Sequence, residues 1–202
     1  MDYKTRSKKI AVGIYSFAKP FLLAGVLILA LQVTGLIGAA SFTTQWALLQ
    51  TGLRDAESEV NADTTFDYEF TLKDLEGNRI PFEKFKGKVV FLNMWATWCG
   101  PCRAEMPGIQ NLYEKVDREK IIFVMLSIDR ESDLKKVSDY MLAKQFTFQA
   151  YVPSGQLPSL LRVPSIPTTF VISKEGQVVR KEVGTMNYDT PKFQKFLEEL
   201  SN

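Results

Sequence analysis

The sequence predicts an α/β domain with a central mixed sheet and helices on both faces, preceded by one transmembrane helix. Three observations carry that expectation. Two nearly continuous apolar runs, residues 88–95 and 121–128, have the length and β-rich character of strands covered on both sides. Between them Met106, Ile109, Leu112, Tyr113 and Val116 recur at helical spacing. Beyond residue 168, two apolar segments flank Lys174-Glu175-Gly176, as a hairpin requires. Strands that first alternate with helices and then pair antiparallel make a mixed sheet.

The chain has 202 residues, 46% hydrophobic and 24% charged, which is a globular rather than a disordered balance. Its length exceeds what one ordinary domain needs, and the surplus is N-terminal. Residues 21–40 form an uncharged, apolar stretch that spans ~30 Å as a helix, the thickness of a bilayer's hydrocarbon core. Lys4, Arg6, Lys8, Lys9 and Lys19 against Asp2 give the first 40 residues a net charge of +4; with +2 overall, the rest carries −2. Basic flanks stay cytoplasmic, so the C-terminal part is expected outside the cytoplasm. A cleaved signal peptide competes, because Gly38-Ala39-Ala40 offers small residues near a cut; the apolar core is longer than the usual ~7 to 15 residues, which favours an uncleaved anchor. A buried core helix fits less well with a basic flank on one side only. No cysteine stands directly after the run, which excludes a lipoprotein anchor. Residues 1–19 therefore read as a cytoplasmic basic and interfacial segment, 20–40 as the anchor, 41–63 as a linker and 64–202 as the folded domain. The linker carries Trp46 where an interfacial aromatic could sit, then turns acidic with no apolar period. The small net charge leaves no nucleic-acid footprint.

Within the domain, residues 66–72 alternate apolar and polar as a half-buried strand does, and Asp74 to Asn78 supply the turn of a β-hairpin. Residues 82–86 read as a helical turn closed by Gly87. The central strand 88–95 leads to a helix over 100–116, kinked at Pro107. After strand 121–128 come a helix over 132–145, an extended stretch 146–152 and a short helix over 157–162. The hairpin 168–172/177–183 precedes an amphipathic helix over 189–200, with Phe193, Phe196, Leu197 and Leu200 on one stripe.

The only two cysteines lie in Trp98-Cys99-Gly100-Pro101-Cys102, directly after the central strand. A structural-disulfide framework would use several spaced pairs, and a zinc site needs four soft or imidazole ligands, whereas this chain has no histidine. No metal is expected. If the helix begins at Cys99 or Gly100, the first sulfur meets unpaired N–H groups and the positive end of the helix dipole, which favour the thiolate. A free thiol has a pKa of ~8.5; depression toward ~7 leaves roughly half of it ionised. Cys99 is then the nucleophile. Cys102, one turn on, can attack a mixed disulfide at Cys99 and leave a Cys99–Cys102 disulfide. Pro101 suits a first turn that has no use for its missing N–H.

The run from Gly87 through Trp95 and the dithiol to Pro107, with Val163-Pro-Ser-Ile-Pro-Thr-Thr-Phe-Val-Ile172 and Gly176, resembles the TlpA/ResA-like branch of the thioredoxin superfamily. The resemblance covers essentially all of 64–202. It implies a thioredoxin-like fold with an N-terminal β-hairpin extension, on a bacterial membrane-anchored, extracytoplasmic thiol-disulfide oxidoreductase whose only redox group is the Cys99–Cys102 disulfide. By position it implies that Cys99 attacks, Cys102 resolves, and Pro167 is a cis-proline that places Ile166 where an extended substrate can pair. Glu105 takes the position that the family associates with proton handling, and a carboxyl in a partly apolar site can serve that role. Charge compensation at the helix start is its other reading. Asn93 departs from ordinary thioredoxins, which carry a buried aspartate on this strand. Trp95 reads as core, and Trp98 as a shield and partner contact beside Gly100 and Pro101.

The expected activity is reduction of protein disulfides at the outer face of a bacterial cell membrane, by a single-pass protein with its N-terminus in the cytoplasm. Apocytochrome c is one precedent for the substrate. With no second cysteine pair in the chain, electrons must come from a membrane donor such as a thiol-reducing transporter. Two alternatives stand beside this. A peroxiredoxin-like peroxidase shares the hairpin and the Gly-Lys-Val-Val strand but would place Pro and Thr before a lone cysteine. A tethered binding module would hold the dithiol as a structural disulfide.

Overall fold

The structure is a computed structural model that describes residues 64–202; the expected basic segment, anchor and linker lie outside them. Among the described residues no helix is long and apolar enough to cross a membrane. Seven strands form one sheet: β1 (Thr71–Asp74), β2 (Arg79–Pro81), β3 (Val89–Trp95), β4 (Ile121–Ser127), β5 (Ala150–Pro153), β6 (Thr168–Ile172) and β7 (Val178–Val183), in the order β2-β1-β5-β4-β3-β6-β7. Among the described residues three α-helices accompany them: α1 (Gly100–Lys115), α2 (Leu134–Ala143) and α3 (Pro191–Ser201).

Every residue of β3 is buried, as its apolar run predicts, because β4 pairs with it in parallel and β6 antiparallel. Its odd and even residues serve two different cores. Val89, Phe91 and Trp95 pack with Met106, Ile109 and Leu112 of α1, Val137 and Met141 of α2, and Phe193 and Leu197 of α3. Val90, Leu92 and Met94 pack with Phe66, Tyr68, Phe70, Phe82 and Leu161. The expectation of helices on both faces is therefore corrected in weight: among the described residues the three α-helices share one face, and the other carries the single 3-10 turns Phe82–Phe85 and Ser159–Leu161. The topology explains it. Going from β3 to β4 to β5, the chain steps twice in the same direction between parallel neighbours, and two right-handed crossovers in one direction put both helices on the same side.

What covers the helix-free face is the segment expected to be the first strand. Phe66, Tyr68 and Phe70 are buried and Asp67 and Glu69 exposed, so the alternation is real, but it extends no ladder. Thr65 bridges Gln177 and the Phe66 N–H donates to Gly176 O at 2.8 Å, beside β7, whereas Thr71 begins β1 near the far edge. The chain crosses the sheet between those points, and a crossing strand has no neighbour to pair with. Its rings replace a helix: Phe82 lies 4.5 Å from Phe70, 5.3 Å from Phe66 and 5.2 Å from Phe85, centroid to centroid. Gly176 fits this passage, with φ +84° and the Tyr68 ring 3.4 Å from where a Cβ would stand.

The hairpin forms as expected over a shorter span, with Thr71 opposite Pro81 and Lys73 opposite Arg79. β1 also pairs with β5, so the hairpin extends the sheet. α1 continues past Pro107 to Lys115. Because Phe82 is fully buried at the centre of the ring cluster, Phe82→Ala is expected to lower the unfolding free energy in urea by about 3 to 5 kcal/mol. Leu142→Ala, at a side chain 80% exposed, should change it by less than about 0.5 kcal/mol.

Candidate active site

β3 ends at the carboxyl edge of the sheet, and Ala96 to Trp98 carry the chain from it to α1. Cys99 is the residue that caps this helix: its backbone is extended (φ −83°, ψ 103°) and its Sγ accepts the Cys102 N–H at 3.1 Å. Pro101 stands in the first turn, where no N–H is missed. Cys99 and Cys102 are joined as a disulfide, with Cα atoms 5.3 Å apart. Cys102 is wholly buried and Cys99 nearly so. The same N–H and the positive end of the helix dipole face the Cys99 sulfur.

A buried carboxylate fixes the loop before the dithiol. Asp129 Oδ2 accepts the Thr97 N–H at 2.8 Å and the Ser127 hydroxyl at 2.7 Å, and Oδ1 accepts the Thr97 hydroxyl at 2.7 Å. The Ile128 N–H donates to Trp95 O at 2.9 Å. Sequence reasoning missed Thr97, Ser127 and Asp129. The available signal was the switch from apolar to polar residues where β4 ends, at the same sheet edge as the dithiol.

The Ile166–Pro167 bond is cis, and Ile166 O lies 4.0 Å from Cys99 Sγ. The segment is held from both sides: the Gly184 N–H donates to Pro167 O at 2.9 Å, and the Thr168 hydroxyl to Ser165 O at 2.8 Å. Gly100 and Pro101 are partly buried, and Trp98, expected as a shield and partner contact, is 68% exposed. Trp95 is buried against Tyr140, as a core aromatic. Ile128, bonded to the loop, and Val183, opposite Thr168, are exposed apolar side chains on the segments around the disulfide.

Glu105, one turn beyond Cys102 in α1, is almost completely buried. It accepts Asn93 Nδ2–H at 2.7 Å and the Met186 N–H at 3.2 Å. Burial outweighs both donors and pushes its carboxyl up to about 8. Asn93 also donates to Thr169 Oγ1 at 2.9 Å. Tyr188 completes this pocket; burial, with Glu105 and Glu182 nearby, pushes its phenol well above the usual value. Among the described residues no group of three or more His, Cys, Asp or Glu side chains could hold a metal ion.

The AhpC/TSA family model matches residues 67–181. The thiol-disulfide oxidoreductase ResA of Bacillus thuringiensis subsp. konkukian is 32% identical over 133 residues, covering 65% of this chain and 75% of that protein. The crystal structure of StoA from Bacillus subtilis superposes with a TM-score of 0.52 at 27% identity, over 66% of this chain and 96% of StoA. A thioredoxin-family thiol:disulfide interchange protein from Chlorobium tepidum, at 24% identity and a TM-score of 0.57, shares the fold over 71% of this chain and all of its own.

Folding raises the Glu105 pKa from 4.5 to about 8, so the folded protein keeps a proton that the unfolded chain releases across that interval. The stability linked to this group is intact below about pH 4.5 and declines as pH rises to about 8. In denaturant titrations of the oxidised protein, the wild type should lose a few kcal/mol between pH 5 and pH 9, since each pH unit separating the folded and unfolded pKa values is worth about 1.4 kcal/mol. Glu105→Gln should lack that loss, and equal slopes for the two proteins would refute the assignment.

Proposed function

The chain belongs to the AhpC/TSA family of thioredoxin-like domains and, within it, to the ResA-like thiol-disulfide oxidoreductases, and from that premise we propose that it reduces protein disulfides while tethered to the outer face of a bacterial cell membrane. One observation carries the chemistry: a cysteine sulfur caps a helix and accepts the N–H of a partner cysteine, and that partner stands one turn before a buried carboxyl whose pKa approaches that of a thiol.

In the reduced enzyme the Cys99 thiolate attacks a substrate disulfide; a Cys99–substrate S–S bond forms, and the departing substrate thiolate takes a proton. Glu105 as carboxylate accepts the Cys102 proton, and the resulting thiolate attacks Cys99 Sγ. The second substrate thiolate leaves and takes that proton back from Glu105, the first having drawn one from water. The substrate has gained two electrons and two protons, and the enzyme ends as the disulfide seen in the structure. A carboxyl near 8 is matched to a thiol of ~8.5, so the transfer is close to balanced in both directions. Trp98, Gly100, Pro101, Ile166 and Pro167 are proposed to receive the substrate, with the Ile166 backbone open to an extended chain and Trp98 offering apolar contact. The apolar run 20–40 is proposed as the membrane anchor and residues 41–63 as the linker that reaches the domain. The electrons are proposed to arrive from a thiol-reducing membrane transporter, and apocytochrome c is a substrate of suitable chemistry.

Cys102→Ser should accumulate partner proteins in mixed disulfides that dithiothreitol releases, and Cys99→Ser should accumulate none; a Cys99→Ser protein with full activity would leave the structural-disulfide reading in its place. The full-length chain should stay with membranes under alkaline extraction. Equilibration with glutathione should place the dithiol nearer about −270 mV than about −120 mV. Glu105→Gln should slow disulfide exchange near neutrality by on the order of 10²-fold and remove its pH dependence in this range.

A further inference from the structure

Asn93 stands in the middle of β3, wholly buried. The nitrogen of its amide donates twice, to Glu105 Oε1 at 2.7 Å and to Thr169 Oγ1 at 2.9 Å. The oxygen at the other end, Oδ1, is buried with no hydrogen-bond partner. A primary amide is nearly symmetric in shape, so half a turn about its terminal torsion exchanges donor and acceptor within the same envelope. Facing the same two partners, Oδ1 would accept from a protonated Glu105 and from the Thr169 hydroxyl, whose proton can rotate. Either orientation satisfies one end twice and the other not at all. The balance between them is left to whether Glu105 carries a proton.

We propose that Asn93 is a positioning residue that turns with Glu105, donating to the carboxylate and accepting from the carboxylic acid, so that one side chain holds Glu105 in place through both halves of the redox cycle. The inference rests on the reading that Glu105 exchanges a proton with the dithiol. An aspartate at 93 could not serve, because two acids in hydrogen-bond contact compete for one proton and titrate as a pair. An aliphatic residue would leave the carboxylate only the Met186 N–H, at 3.2 Å. The other titratable or charged groups around this pocket are Cys102 on α1, held in the disulfide, Tyr188 before α3, and Glu182 with Arg180 on β7, their charged ends 3.9 Å apart. The side chain hydrogen-bonded to Glu105 is Asn93.

The test is an NMR titration of the oxidised protein, following the Glu105 carboxyl carbon and the Asn93 side-chain amide in one sample. In the wild type the Asn93 amide resonances should move with the same midpoint as Glu105, and their contacts to Thr169 should change across it. In Asn93→Ala the Glu105 midpoint should rise by on the order of one pH unit, since the carboxylate loses a charge-assisted donor. In Asn93→Asp one step should become two. An Asn93 amide indifferent to the Glu105 titration overturns the proposal, and the wild type decides this without any substitution. An unmoved Glu105 midpoint in Asn93→Ala overturns it as well. The proton-exchange reading fails separately, if Glu105→Gln leaves the pH–rate profile unchanged, and that result does not depend on the amide.

Discussion

The complete burial of β3 is the constraint from which the rest of the site follows. A strand sealed between β4 and β6, with a core on each face, cannot slip by one residue along its axis without sending every side chain into the opposite core, where its shape has no matching site. Its carboxyl end is thereby fixed, and with it the start of α1. Cys99 can cap that helix only because Trp95 stays in place and Asp129 holds the intervening loop through Thr97. The polar residue in the strand, Asn93, reaches Glu105 across the same fixed geometry.

That geometry sets two opposing demands on α1. Its inward face supplies Met106, Ile109 and Leu112 to the main core, yet carries Glu105 into the same apolar surroundings. Burying a carboxylate with two donors is unfavourable relative to water, and the raised pKa is the form this takes. Nearby, Arg180 and Glu182 bury charge differently: their charged ends lie 3.9 Å apart, and the guanidinium rests 4.3 Å over the Phe196 ring. One buried acid is compensated by a cation, and the other is left to meet a proton.

Much of this was legible in the residues. The apolar runs located β3 and β4, the Lys174-Glu175-Gly176 turn located the β6–β7 hairpin, and the cysteine spacing located the head of α1. The sequence was misread where a pattern had two physical causes. The alternation of Phe66, Tyr68 and Phe70 signals one buried face, and a segment crossing a sheet produces it as well as a strand within one. The sidedness of the helices depends on the order in which strands are laid down, which periodicity does not encode. Asp129 carries no signal of its own in the sequence, since its partners Thr97 and Ser127 are brought together only by the pairing of β3 with β4. The Asn93–Glu105–Thr169 contact depends on the β3–β6 register in the same way. The cis bond at Pro167 was suggested by family resemblance and by nothing local.

The burial of Cys102 has a consequence for fidelity. Under the proposed exchange, a sulfur wholly out of solvent in the disulfide form leaves Cys99 as the one at which a covalent visitor would dock. Traffic through the proposed exchange would then be single-file: a passing low-molecular-weight disulfide would occupy the outer sulfur, and the internal one would be on hand to clear the lane.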